Sequence, residues 1–189
     1  ARTAWLSFFI SIGILVFRKN RKLIVGLSLF IIAVLLILPP KMKHDIFMAN
    51  TAIARIDIWK GAWNMIKAHP ITGLGINTFS ANYFKYRVIV GEDYAHNCYL
   101  QMWAEAGAIG LIGLFGIVFF FYKSGLEFFK TGRDSFIDIF RFGMFLGINA
   151  TLIHSFFDTN LYCLQLASLF WLMLGIYDGL RWESHEKIK

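Results

Sequence analysis

Along the chain, apolar positions gather into long blocks separated by short basic runs and one extended mixed segment. Residues 3–17 form the first block, 23–38 the second, ending at Pro39-Pro40, and 98–122 the third, in which Glu105 is the only charge. Residues 142–157 and 161–180 make a closely linked final pair. A membrane-crossing helix needs about 20 apolar residues, within a range of about 17–25. The third and fifth blocks reach that length unaided, and the others reach it with their flanks. The pattern predicts an all-α membrane protein of about five transmembrane helices, with residues 39–97 as one large outer loop.

Within that loop, Ile53, Ile56, Trp59 or Lys60, Trp63 and Ile66 recur at spacings of three and four, which predicts an amphipathic helix over 53–67. Such a helix either lies in the membrane interface with its tryptophans at headgroup depth or packs on the outer ends of the spans. His69-Pro70 ends it. The Gly73-x-Gly75 pair that follows lacks the preceding strand and third glycine of a dinucleotide fingerprint. It reads as a tight turn sooner than as a phosphate cradle.

Composition agrees with the blocks: 57% of the 189 residues are hydrophobic and 16% are charged, against about a quarter charged in ordinary soluble domains. The net charge of +7 would fit nucleic acid had the cations been gathered on one soluble face, but they lie between apolar blocks, so nucleic acid is excluded as a partner. Eleven Lys and Arg fall in the 33 positions of 18–22, 123–141 and 181–189, against seven in the 59 positions of 39–97. The positive-inside rule therefore places the three short segments in the cytoplasm and the loop outside. Cys98 and Cys163 have no metal-ligand spacing. A disulfide between them is open, and buried free thiols are the commoner case.

The candidate chemistry collects on the outer face. Tyr94, His96 and Asn97 stand where the loop re-enters the third block, and Glu105 follows about two turns into it. His154 and Asp158 form an i,i+4 pair at the end of the fourth block, and Arg2 begins the first. An unperturbed histidine titrates near about pH 6.5, which suits it to take a proton from a hydroxyl, though a single His is more often structural. A carboxylate inside a span marks function or an internal partner. Arginine, always charged and forked, suits a phosphate or pyrophosphate, which points to an anionic lipid held by Arg2 and Arg55.

Arg55, Trp59, His69-Pro70-x-x-Gly73-x-Gly75-x-Asn77-x-Phe79, His96-Asn97-x-Tyr99-Leu100-x-x-x-x-Glu105-x-Gly107-x-x-Gly110-Leu111 and His154-x-x-x-Asp158 together resemble the O-antigen ligase and polymerase family. The late Phe170-Trp171 and Gly175 also fit, and Arg2-Thr3-Ala4 is similar to a segment that in the family begins with Ser. The resemblance covers nearly the whole chain. It implies a multi-pass glycosyltransferase of the bacterial inner membrane with a large periplasmic loop, of which residues 1–189 are a single membrane domain from the C-terminal half. It further implies transfer of a glycan from undecaprenyl pyrophosphate to a glycan or lipid A-core acceptor, without metal or other cofactor. Carried over by position, His96, Arg55 and Arg2 are then the catalytic set: His96 activates the acceptor hydroxyl and the two arginines bind the pyrophosphate. Asn97, Tyr94, Glu105, His154 and Asp158 are the substrate-binding set. Two other readings stand beside this one. A transporter or flippase component for a lipid-linked or anionic solute would show deep charges and broken helices. A membrane assembly subunit without chemistry leaves the His and Arg placement unexplained.

Overall fold

The computed structural model describes residues 2–19, 50–88, 94–131 and 135–186, together with positions 22, 26 and 37. Among the described residues every regular element is helical: α1 (Arg2–Lys19), α2 (Asn50–Ala68), α3 (Phe79–Tyr83), α4 (Cys98–Thr131), α5 (Phe136–His154) and α6 (Leu164–Glu186), with a 3-10 turn at Asn160–Tyr162 before α6. Cys98–Leu126 and Phe136–His154 are long and apolar enough to cross a membrane, while Thr3–Ile14 and Leu164–Leu180 are shorter apolar helices. The expected second span, 23–38, lies outside the described residues apart from positions 26 and 37, as does all of 39–49.

α5 starts six residues before the apolar block that predicted it, so Arg141 sits inside a helix and not in a connecting loop. It is buried, its guanidinium 5.2 Å from the centre of the Tyr177 ring and 3.5 Å from Ser124 Oγ. The aromatic face lets a cation enter the apolar layer near the helix end. Ser135 caps this helix by accepting from the Asp138 amide.

Two cores divide the molecule. The first joins α4, α5 and α6 through Phe121, Phe142, Phe145, Ile148, Leu152, Phe170 and Tyr177. α1 lies antiparallel to α5 and turns its small polar side to it: Ser7 and Ser11 are buried whereas Trp5, Phe8 and Phe9 are exposed. Small residues let helix backbones approach closely, and a buried amide then ties them. Asn149 does so here, donating to Ser11 Oγ (3.1 Å) and accepting from the Tyr122 hydroxyl (2.6 Å).

The second core holds α2 and α3 against the first turns of α4, through Ile58, Ala62, Met65, Ile66, Phe79, Tyr83, Ala95 and Ala104. This corrects the face expected for the amphipathic helix. Ile66 is buried as the periodicity predicted, but Ile56 and Trp63 are exposed. The buried stripe is instead Ile58, Ala62, Met65 and Ile66, also spaced by four, three and one, with Gly61 at its centre, where a Cβ would sit 2.5 Å from the Tyr83 ring. The helix therefore packs on neighbouring helices through one side and leaves Ile56 and Trp63 on the exposed side.

α4 is broken at Gly107 (φ 65°, ψ −170°). The turn after α2 fills the break with its own backbone. Leu74 and Gly75 amides donate to the Ala104 and Glu105 carbonyls (3.0 and 2.9 Å), and the Ala108 and Ile109 amides donate to the Pro70 and Ile71 carbonyls (2.9 and 3.4 Å). Groups that the interruption would have orphaned are thus paired. A Cβ at Gly73 would run into the Glu105 carbonyl, and one at Gly107 into the Ile71 carbonyl. The glycines of the Gly73-x-Gly75 segment serve a turn and a close backbone crossing.

Candidate active site

Three short segments meet where α4 begins and α5 ends. Ala95 is pinned on both sides, its amide donating to Gln101 Oε1 (3.1 Å) and its carbonyl accepting from Trp59 Nε1 (2.9 Å). Two residues on, the Asn97 side-chain oxygen caps α4 by accepting from the Tyr99 and Leu100 amides, both at 3.0 Å. Between these fixed points His96 is held at φ 48°. A non-glycine residue in the left-handed region costs roughly 1–3 kcal/mol and persists only where its surroundings over-determine it, often at functional sites.

Cys98 joins this segment to the end of α5. Its amide donates to the Ser155 carbonyl (2.8 Å) and its thiol to Asn160 Oδ1 (3.2 Å) and the Asp158 carbonyl (3.3 Å). Both cysteines are free, Cys98 buried and Cys163 exposed. The turn so anchored places Asp158 between two histidines: His96 Nδ1 is 3.9 Å from Oδ1 and His154 Nε2 is 3.9 Å from Oδ2. Both gaps exceed hydrogen-bond length, and His154 Nε2 is buried without a hydrogen-bond partner. Asp158 is itself steadied by the Thr159 amide (2.8 Å).

His154 and Asp158 line a cavity of about 350 Å³ with Tyr94, Thr159, Asn160, Tyr162, Cys163 and Leu166. His154, Asn160 and Leu166 also line a mainly apolar groove of about 220 Å³ between α1, α5 and α6, whose other walls include Ala4, Ser7, Phe170 and Met173. A polar chamber and an apolar groove therefore lie side by side across three shared residues, a shape suited to an amphiphile with a polar head.

Glu105 lies behind the chamber. It is almost fully buried, accepting from the Asn77 amide through Oε2 (2.8 Å) and from the Phe79 amide through Oε1 (2.9 Å), which caps α3, with Gln101 Nε2 at 3.4 Å from Oε1. The Tyr162 hydroxyl also bonds to it; burial, and then the Glu105 charge, push this phenol far above its ordinary range, so it remains a neutral donor. Glu105 thereby connects the α2–α3 turn to a wall of the cavity.

The structure thus brings Tyr94, His96, His154 and Asp158 together, sets Asn97 in the adjoining cap and keeps Glu105 one residue behind the cavity surface. Arg55 is half-buried on α2 one turn before Trp59. It shares the helix side that meets the His96 segment, and it makes no ion pair among the described residues. Arg2 begins α1, whose Ala4 and Ser7 stand in the groove beside His154, so it lies at the same end of the bundle; its side chain is outside the described residues. Sequence reasoning missed Thr159, Asn160, Tyr162 and Gln101. The run Asp158-Thr159-Asn160-Leu161-Tyr162 carried the signal, a polar cluster directly before an apolar span, and was absorbed into the fifth block.

Residues 1–115 match the profile of a family described as O-antigen ligase. A protein of Haemophilus influenzae described as uncharacterized is 30% identical over 159 residues, an alignment covering 66% of this chain and 39% of that protein. The chain thus spans well under half the length of this curated relative. No solved structure matches. With the family profile spanning more than half of the chain, including Arg2, Arg55, His96 and Glu105, the chain belongs to the O-antigen ligase family of membrane proteins.

Proposed function

We propose that this chain forms the glycan-transfer end of a bacterial inner-membrane glycosyltransferase that moves a glycan from undecaprenyl pyrophosphate to the hydroxyl of a glycan or lipid A-core acceptor. The observation that carries this reading is the Asp158 carboxylate set 3.9 Å from both His96 and His154 at the point where a polar cavity meets an apolar groove. His96 takes the acceptor proton as the new glycosidic C–O bond forms and the sugar–pyrophosphate C–O bond breaks. Asp158 favours the imidazolium that results. Arg55 and Arg2 carry the charge that grows on the departing pyrophosphate, the role a metal ion plays elsewhere. Tyr94 and the Tyr162 side of the cavity hold the sugar, the groove takes the start of the isoprenoid, and Asn97 and Glu105 fix the positions of the segments around them. The Lys and Arg distribution favours five spans, with the His96 face in the periplasm.

A transporter or flippase component is the second reading, supported by the break in α4. Two of the freed amides at that break bond to the Pro70 and Ile71 carbonyls and so are not offered to a solute, which favours the transferase. The test is glycan transfer from a lipid-linked donor in membranes holding the full-length parent protein, wild type against His96→Ala at matched insertion. Loss of transfer supports the mechanism, and the product separates ligase from polymerase. Undiminished transfer removes His96 from the chemistry, and translocation of donor without any transfer by wild type moves the second reading ahead.

A further inference from the structure

Outside the site, an apolar strip stands exposed among the described residues. Ile109 and Ile112 are 65% and 69% exposed on the unbroken half of α4, within the segment able to cross a membrane. Where α4 breaks, the Ile109 amide bonds the Ile71 carbonyl, and Ile71 is itself 64% exposed on the turn that fills the break. Beside it Trp103 Nε1 donates to the Pro70 carbonyl (3.2 Å), and Trp103 meets Trp63 edge to face at 5.5 Å. Backbone contacts therefore place in succession an exposed side of a candidate span, an exposed isoleucine on a turn and a tryptophan pair. Exposed Lys67, one turn after Trp63, follows. Acyl-contacting isoleucine, then indole, then ammonium is the order in which a bilayer changes from hydrocarbon to headgroup to phosphate.

We propose that the turn after α2 is a membrane wedge: Ile71 enters the acyl layer of the leaflet on the His96 side, and Trp63 and Trp103 sit at its headgroups. Its occupant is lipid because the strip adjoins the exposed apolar side of α4 within the segment able to cross a membrane. Since Trp59 of the same helix bonds the carbonyl preceding His96, the wedge also sets the depth of the site. On the transferase reading that depth is the headgroup level, where a lipid-borne pyrophosphate lies.

The test places single nitroxide labels at Ile71→Cys, Ile109→Cys and Lys60→Cys in the full-length parent protein, with other exposed cysteines, Cys163 included, changed to serine. The protein is reconstituted in vesicles of phosphatidylethanolamine and phosphatidylglycerol, and collisions with oxygen and with a water-soluble nickel chelate are compared. The oxygen-to-nickel ratio at position 71 is expected to match that at 109 and to exceed that at 60 by about tenfold, because the chelate is excluded from hydrocarbon. A ratio at 71 equal to that at 60 overturns the proposal, and so does a label shielded from both colliders, which would mean that protein covers the strip. Trp63→Cys gives the same reading at headgroup depth should Ile71→Cys fail to insert. The experiment measures depth and not transfer, so its failure leaves the catalytic reading standing.

Discussion

Two places in this molecule, both next to the start of α4, treat their polar groups in opposite ways. At the crossing of Gly73 over Gly107 the Ala104 and Glu105 carbonyls and the Ala108 and Ile109 amides beside the helix break are paired, and there is no room for one extra carbon. At the cavity, an imidazole nitrogen is buried without a partner, a carboxylate stands 3.9 Å from two rings, and His96 is held in the left-handed region. Saturated polar groups make a fixed frame, whereas unmet ones have a cost that a ligand can relieve. The crossing is thus the frame, and the cavity is where chemistry is expected.

The sharpest way to break this division is to add a methyl group to the crossing. Gly107→Ala forces a Cβ into the Ile71 carbonyl and puts a side chain where φ is 65°. Neither neighbour is a flexible side-chain tip, so a loss of about 3–5 kcal/mol is expected, read as a collapse of the detergent melting temperature or of folded yield. A variant that melts within a few degrees of wild type would mean that the crossing is loose and the contrast is wrong.

His96→Ala is the converse experiment. Removing a general base slows transfer by roughly 10²–10⁴-fold, while the melting temperature is expected to hold, because Ala95 and Asn97 carry the local hydrogen bonds. His96→Gly sharpens the point, since glycine accepts the left-handed backbone: it should be as inactive as the alanine variant and at least as stable as wild type. If both variants unfold, the strained residue belongs to the frame and not to the chemistry.

How far the sequence could have led to this picture differs between the same two places. The apolar blocks forecast α1, α4, α5 and α6 because lipid demands long uncharged helices, and the His-Asn-x-Tyr-Leu run stands at the start of α4, with His96 3.9 Å from the cavity residue Asp158. The direction of α2 differs from the expected one because two apolar stripes share the helix: Ile58, Met65 and Ile66 turn inward beside Gly61 and Ala62, while Ile56 and Trp63 stay exposed, and only the tertiary partner Tyr83 selects between them. The α4 break was hidden for a related reason: Gly107 lies in an uninterrupted apolar block, and its φ is imposed by a turn some 35 residues earlier. Glu105 illustrates both sides. As a charge in a span it was marked for an internal partner, but that its partners are the Asn77 and Phe79 amides is a tertiary fact.

Glu105 therefore supplies a finer test of where the frame ends. Glu105→Gln keeps the shape but offers one acceptor oxygen where two amides now bond to two, so one amide is left unmet at a cost of about 1–3 kcal/mol. If Glu105 acts only by positioning, transfer falls in proportion to the loss of folded protein and the pH profile of transfer keeps its shape. A changed pH profile at equal folded fraction would show instead that the carboxylate takes part in the site.

The smallest effect falls on the link between the two places, the Tyr162 hydroxyl on Glu105. Its titration is raised above the ordinary value of 10.0, first by burial and then by the Glu105 charge. Above pH 10.0 the unfolded phenol releases its proton while the folded one keeps it, so the folded state binds more protons and stability falls as pH rises. Tyr162→Phe removes that slope. At neutral pH it should lower stability by only about 1 kcal/mol, the net value of one hydrogen bond, and wild type and variant should converge as the pH climbs past 10.0. Alkaline melting curves that stay parallel would mean that Tyr162 does not hold Glu105, and that the cavity wall stands independently of the crossing behind it.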